Sequence, residues 1–398
     1  MNEHAGAGRR GGDDRLGVGW MVRPTVIVVT MTVLGCGGAP TASPAAPAVG
    51  RLAAGAGHTC VIDGGGVTRC WGSNVDGQLG DGSDSDSSSP RVVAGSGDHR
   101  ALAAGSYHAC ALTAGGSVTC WGWNANGQVG DGSRQNRRQP FTLEGLGAVD
   151  AIAAGSYHSC AVERGGVARC WGHNDAGQVG DGSTIDRPAP VDVFSLPAAT
   201  AIAASGRHAC AVIEDATVQC WGENDGGQLG NGGTDPQSFP GPVVGISDAV
   251  AVAAGFNHSC ALRATGAIVC WGANTYGQLG DGTTTDHAAP VTVAGIATAV
   301  ALGAGYNHSC AALADGQLVC WGWNAGGQLG DGTTADRATP VQVLGIEGVV
   351  AVAGGGFHTC AVTAARALRC WGSNESGQLG DGTNIDRPLP APVPGIRM

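Results

Sequence analysis

The chain contains no lysine, few aromatic residues and few charged ones, and these shortages exclude several classes of function. Aromatic residues make up 5% and charged residues 13% of its 398 residues. Without lysine there is no P-loop lysine for nucleotide phosphates and no Schiff-base lysine for carbonyl chemistry. The formal net charge is −11. Because the chain is acidic and has no long basic run, we expect it to bind neither nucleic acid nor an anionic membrane surface.

Short catalytic motifs are also missing from the sequence. It has no G-x-S-x-G elbow, no H-E-x-x-H helix and no P-loop. His158 beside Ser159 and Cys160 belongs to a pattern that recurs along the chain. Several equivalent active sites in one chain would be unusual. We therefore expect a protein that is not an enzyme and that needs no cofactor.

What the chain does have is a strict internal repeat with a period of 50 residues. The dipeptide Cys-Trp marks each copy, at Cys70, Cys120, Cys170, Cys220, Cys270, Cys320 and Cys370. A His-x-Cys motif recurs in the same phase, at His58, His108, His158, His208, His258, His308 and His358. A feature present in every copy belongs to the building unit, so local function is expected where the copies differ.

Each unit predicts four short strands. In the sixth copy, one larger apolar residue, Leu302, lies among Ala and Gly before the His. Such small side chains suit an innermost propeller strand, because blades converge at the axis. Residues 308–322 predict a hairpin, and residues 340–343 predict a short outer strand that begins with Pro. Each recurring His is expected to hydrogen-bond a turn at the start of the second strand.

Seven such units predict an all-β, seven-bladed β-propeller over residues 49–398. An open solenoid is the competing architecture, but solenoids need atypical polar capping repeats. The first and last units are as regular as the middle ones, which favours a closed ring. The sequence leaves open how the ring closes, and residues near Val49 could pair with the last blade.

The predicted hairpin brings the two cysteines of each unit together. Pairing Cys310 with Cys320 closes a three-residue loop between Leu313 and Gln317 and places the cysteines at a close, non-hydrogen-bonded position. Together with export, this favours seven disulfides. The pairs are Cys60–Cys70, Cys110–Cys120, Cys160–Cys170, Cys210–Cys220, Cys260–Cys270, Cys310–Cys320 and Cys360–Cys370. Buried free thiols are an alternative, and so is zinc, although no fourth ligand recurs; we predict no metal.

The N-terminus differs from the repeats. Residues 25–34 form an apolar run that follows Arg23 and is too short to span a bilayer. Residues 33–36 resemble a lipoprotein signal-peptidase site with Cys36 as the lipidated residue, and a plain secretory signal is the alternative. We predict a signal peptide over residues 1–35, with Met21 as an alternative start, and a flexible tether over residues 36–48. The expected location is the cell envelope, as an outer-membrane lipoprotein, or the secreted fraction.

The repeats resemble the regulator of chromosome condensation repeat family. The second copy carries the resemblance in A-A-G-S-Y-H-A-C-A-L and G-G-S-V-T-C-W-G-W-N-A-N-G-Q-V-G-D-G, and the equivalents cover all seven units. The resemblance implies a seven-bladed propeller that binds proteins. The best-known eukaryotic member is a guanine-nucleotide exchange factor for a small GTPase, and bacterial secreted relatives inhibit β-lactamases through one propeller face. The chain is identified as an exported bacterial member. It departs from the eukaryotic member by its export signal and by its strict period, which leaves no inserted hairpin to act on a GTPase, and both departures argue against exchange activity.

The copies differ in two loops that a four-stranded blade places on one face. The first loop carries an aromatic residue in five copies, at Tyr107, Tyr157, Phe256, Tyr306 and Phe357. The second carries Trp123, Trp323 and Tyr276, and an irregular connection in the second copy carries Arg137 and Arg138. Exposed Trp, Tyr and Arg are typical binding anchors. The predicted partner-binding residues are Trp123, Trp323, Tyr107, Tyr157, Tyr276, Tyr306, Arg137 and Arg138.

The sequence therefore predicts an exported, lipid-anchored and monomeric propeller that binds a protein partner through one face. Its contact with a membrane would be through the lipid alone. Regulation of a small GTPase by nucleotide exchange is the alternative that the family resemblance implies. Binding of a cell-surface glycan is a further alternative, since exposed aromatic rings also serve that function, and a silent glycan array would remove it.

Overall fold

The computed structural model describes residues 50–398, and that part of the chain contains strands and turns but no helix. Seven separate sheets, each of four antiparallel strands in chain order, form the blades of a ring. The predicted all-β, seven-bladed β-propeller is confirmed. The signal peptide with its alternative start at Met21, the lipidation site Cys36 and the tether lie outside the described residues. Among residues 50–398, none forms a helix long and apolar enough to cross a membrane.

Each blade consists of four consecutive strands from one repeat. Blades 1 to 3 contain β1 (Leu52–Ala54), β2 (His58–Ile62), β3 (Thr68–Gly72), β4 (Ser87–Val92), β5 (His99–Ala104), β6 (His108–Thr113), β7 (Val118–Gly122), β8 (Arg137–Thr142), β9 (Val149–Ala154), β10 (His158–Glu163), β11 (Ala168–Gly172) and β12 (Arg187–Asp192). Blades 4 and 5 contain β13 (Ala199–Ser205), β14 (His208–Ile213), β15 (Val218–Gly222), β16 (Gln237–Pro242), β17 (Ala249–Ala254), β18 (His258–Arg263), β19 (Ile268–Gly272) and β20 (His287–Thr292). Blades 6 and 7 contain β21 (Ala299–Ala304), β22 (His308–Leu313), β23 (Leu318–Gly322), β24 (Arg337–Gln342), β25 (Val349–Gly354), β26 (His358–Thr363), β27 (Leu368–Gly372) and β28 (Arg387–Pro392).

The innermost strands converge on a narrow central channel. A cavity of about 70 Å³ lies there, lined mostly by Ala, Gly and Ser. Space is tight enough that a Cβ atom added at Gly354 would lie 2.5 Å from the backbone nitrogen of Gly305 in the preceding blade. The run of small residues that ends each first strand is therefore a steric requirement of seven strands meeting around one axis.

The central hairpin has the predicted register. Cys310 lies directly opposite Cys320, and the Leu313 N–H donates a 2.8 Å hydrogen bond to the Gln317 carbonyl oxygen. The fourth strand is longer than predicted: β24 begins at Arg337 rather than at position 340. A bulge between Cys320 and Gly322 lets Gly322 pair with Arg337, which extends the ladder at its start.

Neighbouring blades pack a tryptophan against the paired cysteines of the preceding blade. Trp321 is fully buried in one apolar cluster with Cys260 and Cys270. Its indole N–H donates to the Gln278 carbonyl oxygen at 2.9 Å, which satisfies the polar atom of the buried ring. Sulfur on one blade face and indole on the other are both buried between blades, as the alternation of side chains along a strand predicts.

A buried hydrogen-bond network also joins the blades. The His108 ring nitrogen Nε2 lies 2.8 Å from the Ser159 hydroxyl of the next blade, and that hydroxyl donates to the Gln128 carbonyl oxygen. Because the hydroxyl proton is used, Nε2 must carry the hydrogen that Ser159 accepts. The same contact recurs in four further pairs, His208–Ser259, His258–Ser309, His308–Thr359 and His358–Thr59. The predicted hydrogen bond from these side chains to a turn is wrong.

Within residues 50–398, no strand is exchanged between the first and last blades. Among residues 50–398, β1 pairs with β2 and β28 with β27. Val49, with its predicted pairing to the last blade, lies outside the described residues. The closing interface instead repeats the contacts of the others, since the Trp71 indole donates to the Gln378 carbonyl oxygen at 2.9 Å. Met398 adds a buried side chain to the apolar cluster at this seam.

Candidate functional site

Aromatic side chains from blades 2 and 3 form a first aromatic cluster of Tyr107, Trp123, Tyr157 and His173. The rings of Trp123 and Tyr157 meet edge to face at 5.2 Å between centroids. Tyr107 stacks on Tyr157 at 6.0 Å, and His173 lies 6.0 Å from Tyr157 on the blade 3 side. Edge-to-face and offset contacts are the favourable geometries for aromatic rings, so each ring fixes its neighbour.

A second aromatic cluster lies on blades 5 to 7 and contains Phe256, Tyr276, Tyr306, Trp323 and Phe357. Trp323 contacts Phe357 at 5.1 Å and Tyr276 at 6.2 Å between centroids. Tyr306 lies between Phe256 at 5.0 Å and Phe357 at 5.5 Å. Tyr107 and Tyr276 are 38% exposed and Phe357 is 37% exposed, whereas both tryptophans are half-buried. Partly exposed rings held in place by neighbours are suited to contact a partner at low entropic cost.

Tyr306 differs from the other tyrosines because it reaches the central channel. Its hydroxyl forms a hydrogen bond with the Ser106 hydroxyl, which belongs to blade 2 on another part of the ring. Burial raises the pKa of Tyr306 to about 12, so the phenol stays protonated at neutral pH. The side chain therefore covers this end of the channel as well as taking part in the second aromatic cluster.

On blade 4, between the two aromatic clusters, the equivalent loops form an ion-pair network instead. Arg207 stands where other copies have an aromatic residue, and its guanidinium contacts Asp175 and, at 2.8 Å, Glu223. Asp175 is held ionised by these contacts: burial works against the charge, but hydrogen bonds from Arg207 outweigh it and lower the pKa of the carboxyl. The two aromatic clusters are thus separated by a polar sector.

Arg137 and Arg138 lie in a different element, the outermost strand of blade 2. The Arg137 guanidinium is 2.6 Å from a carboxylate oxygen of Asp131 and lies 5.0 Å from the ring centroid of Phe141. Arg138 pairs with Asp84 of blade 1 at 2.8 Å. The structure therefore does not bring these two arginines into either aromatic cluster, and their charges are paired within the chain. Their role as partner contacts stays a prediction.

The paired cysteines lie inside the blades rather than on the aromatic face. All fourteen are buried, and each predicted pair has its sulfur atoms within 2.03 to 2.12 Å of each other. This is the separation of a disulfide. Within residues 50–398, no group of three His, Cys, Asp or Glu side chains is placed to hold a metal ion.

Comparison with known protein families assigns the repeats. The RCC1-like domain model matches residues 187–398, and the models of the regulator of chromosome condensation (RCC1) repeat match residues 70–112, 100–128, 115–162 and 149–178. The chain belongs to the RCC1-like domain family. No curated protein sequence matches this RCC1-like propeller.

Solved structures share the fold of the RCC1-like propeller at low sequence identity. Prp20p from Saccharomyces cerevisiae, described together with its binding to Gsp1p and histones, is 23% identical with a TM-score of 0.73 over 87% of each chain. Human WBSCR16 is 20% identical with a TM-score of 0.74, over 81% of this chain and 92% of that one. The ectodomain of the Physcomitrella patens receptor kinase CR4 is 20% identical with a TM-score of 0.52, over 81% of this chain and 74% of that one. At these identities the likeness shows the fold alone.

Sequence reasoning from single residues did not reveal how charge is divided between the two faces of the RCC1-like propeller. The loops between third and fourth strands, at residues 73–86 and their equivalents every 50 residues, carry eighteen acidic residues and one arginine, Arg134. On the opposite face, residues 63–67 and 93–98 and their equivalents carry nine acidic residues and four arginines. The face with the aromatic clusters is therefore also the more acidic face. Counting charges loop by loop after assigning the strands could have found this.

Proposed function

We propose that this RCC1-like propeller is an exported, lipid-anchored platform that binds a protein partner through the face carrying the two aromatic clusters. The mechanism is rigid presentation of side chains without catalysis. The observation that carries the proposal is the grouping of the variable aromatic residues into two clusters on one face, while the repeated residues are buried between blades. Partly exposed Trp and Tyr rings provide a large contact area with few rotatable bonds.

Affinity capture tests the proposed binding face. The immobilised propeller would be exposed to an extract of its native cells, in parallel with a Trp123→Ala/Trp323→Ala variant. We expect a specific partner whose recovery falls by at least about tenfold in the variant, because each truncated indole removes a half-buried contact surface. The matched control is Phe194→Ala, which truncates an exposed aromatic residue on the opposite face. Equal recovery by all three proteins would contradict the proposal.

The proposed export is supported by the seven cysteine pairs, since disulfides persist in oxidising compartments. The test is a count of free thiols in the denatured, unreduced protein isolated from its native host. We expect at most one, at Cys36, and none if that residue carries a lipid. A count near fifteen would mean a reducing compartment and would contradict export.

Regulation of a small GTPase is the second candidate function. It is supported by the fold shared with Prp20p, which is described as binding Gsp1p. The purified propeller would be added to small GTPases of its own host loaded with a fluorescent guanine nucleotide. Accelerated release would favour this function over the exported platform, and unchanged release together with oxidised cysteines would remove it.

A monomer is the proposed oligomeric state, because each blade is complete within one chain and the ring closes on itself. Light scattering coupled to size-exclusion chromatography tests it. The mass of one chain is expected, and the mass of two would contradict it.

A further inference from the structure

A pocket, here called the seam pocket, lies on the acidic, aromatic face where the first and last blades meet. Its volume is about 230 Å³. It is lined by Ala56 and Gly57 with Ser73 of blade 1, Ser106 and Tyr107 of blade 2, and residues of blade 7 that include Phe357, Glu375 and Gln378. Ligand pockets for small molecules are larger, about 300–1,000 Å³. The seam pocket is therefore of a size for one side chain of a partner.

The pocket exists because blade 1 lacks an aromatic residue. Gly57 occupies the position that Tyr107 and Tyr157 occupy in the next two blades. Without a ring there, Tyr107 and Phe357 are exposed on either side of the gap, at 38% and 37%. The pocket thus has aromatic side chains on two sides and small residues, Ala and Ser, between them.

The polar groups of the pocket point to the chemistry of its occupant. Glu375 is exposed, and none of residues 50–398 forms an ion pair with its carboxylate. Gln378 is only 4% exposed, and while its Oε1 accepts the Ser376 N–H, its amide Nε2 has no hydrogen-bond partner within the described residues. A carboxylate without an ion-pair partner in a pocket that is also lined by aromatic rings favours a cation, and an amide N–H that no residue among 50–398 accepts favours a carbonyl oxygen beside it.

We propose that the seam pocket binds an arginine side chain of a basic protein partner. The guanidinium would stack on Tyr107 or Phe357 and pair with Glu375, and the Gln378 amide would donate to a peptide carbonyl of the partner. Arginine fits better than lysine because its planar guanidinium both stacks on aromatic rings and forms two parallel hydrogen bonds to a carboxylate. The acidic loops around the pocket complement a basic partner and speed its approach. This inference rests on the proposed function and names the partner's chemistry.

The test uses a minimal probe, the peptide acetyl-Gly-Arg-Gly-amide, titrated against the whole propeller by ligand-observed NMR. Its counterpart with citrulline in place of arginine has the same shape without the charge. We expect the arginine peptide to bind at least about tenfold more tightly, which corresponds to about 1.4 kcal/mol for a cation held by aromatic rings and a carboxylate. Equal binding of the two peptides, or no binding of the arginine peptide, would overturn the proposal.

Two substitutions locate the binding in the pocket. In Gly57→Tyr, the added Cβ would lie 3.6 Å from the Ser73 Cβ and 3.9 Å from the Ser376 hydroxyl, which are ordinary contacts. The new ring would fill the pocket without changing any charge. Glu375→Gln removes the charge without filling the pocket. We expect each to weaken arginine binding by about tenfold, whereas the matched control Glu347→Gln, on the opposite face, should stay within about twofold.

The outcomes separate this inference from the proposed function. If Gly57→Tyr binds the arginine peptide as well as the unaltered protein does, the peptide binds elsewhere on the acidic face and the seam pocket is not the site. If the natural partner is lost from Trp123→Ala/Trp323→Ala but retained by Gly57→Tyr, the binding face holds and the pocket proposal fails. If Gly57→Tyr unfolds at the same temperature as the unaltered protein, misfolding does not explain a loss of arginine-peptide binding. If Gly57→Tyr is unstable, Glu375→Gln tests the pocket in its place.

Discussion

The hydroxyl that accepts a hydrogen bond from the recurring histidine is present at five blade interfaces and missing at two. Ala109 and Ala209 stand at the repeat position of Ser159, opposite His58 and His158 respectively. Within residues 50–398, both ring nitrogens of each of these two histidines are buried without a partner. A buried polar group without a hydrogen bond lowers stability. These two interfaces therefore lack the stabilising hydrogen bond that the other five have.

Restoring the missing hydroxyl should stabilise the protein. In Ala109→Ser, the new hydroxyl can accept from His58 Nε2 and donate to the carbonyl oxygen of Gln78, as Ser159 does with His108 and Gln128. We expect a gain of about 0.5–1.5 kcal/mol in the free energy of unfolding, and the same for Ala209→Ser. The reverse change, Ser159→Ala, should cost about 1–3 kcal/mol. Denaturant unfolding measures all three, and a loss in the two Ala→Ser variants would contradict the assigned network.

Periodicity revealed that these histidines belong to the building unit but not what they contact. The hydroxyl partner lies 51 residues away along the chain, in the next blade. A pattern within one repeat predicts local pairing, and a turn was the nearest local partner. Contacts between repeats depend on how the blades stack, which no single repeat specifies.

The central hairpin of each blade is the element that the sequence predicts best. Counting outward from the turn places Cys310 opposite Cys320, and the structure has this register. The start of the fourth strand was less predictable. The bulge beside Gly322 shifts the register between β23 and β24, so that β24 begins at Arg337. The two aromatic clusters were predictable as a shared face, but their edge-to-face contacts depend on side-chain packing between blades.

Removing one cysteine pair should destabilise the protein modestly. Cys310→Ala/Cys320→Ala opens a loop that closes over a sequence separation of 10 residues, and chain entropy assigns such a loop about 2–3 kcal/mol. The hairpin already holds its ends together, so we expect the lower end of this range. Denaturant unfolding with and without a reductant measures it. If the free energy of unfolding of the unaltered protein is the same with and without the reductant, the cysteine pairs are not disulfides.

Seven histidines, one per blade, are buried around the ring, and this makes stability of the whole molecule depend on pH. Burial, with smaller contributions from neighbouring histidines, lowers the pKa of His108, His158, His208, His308 and His358 to about 3. Burial alone lowers the pKa of His58 and His258 to about 4. The unfolded chain binds a proton at each near pH 6.5. Between these values the unfolded state holds more protons, so acid favours unfolding.

We therefore expect stability that is complete above about pH 6.5 and falls steeply as the pH is lowered toward 4. Each histidine contributes up to about 1.4 kcal/mol per pH unit in this range. Near pH 5, unfolding should take up about one proton per recurring histidine, or about seven in all. The pH dependence of the denaturant midpoints, combined with the m-values, measures this number. His108→Gln is the matched variant and should remove about one proton from that number. An uptake of one proton or less would show that the rings are not buried in the neutral form.

The molecule as a whole combines a rigid, repetitive interior with one variable face, and the central claim is that this face binds a protein. Hydrogen-exchange mass spectrometry of the captured complex tests the claim most directly, because it reports where the partner protects the propeller. We predict protection in the loops around Tyr107, Trp123, Trp323 and Phe357, with the loops around residues 63–67 and 93–98 and their equivalents unchanged. Protection confined to those opposite loops would contradict the account.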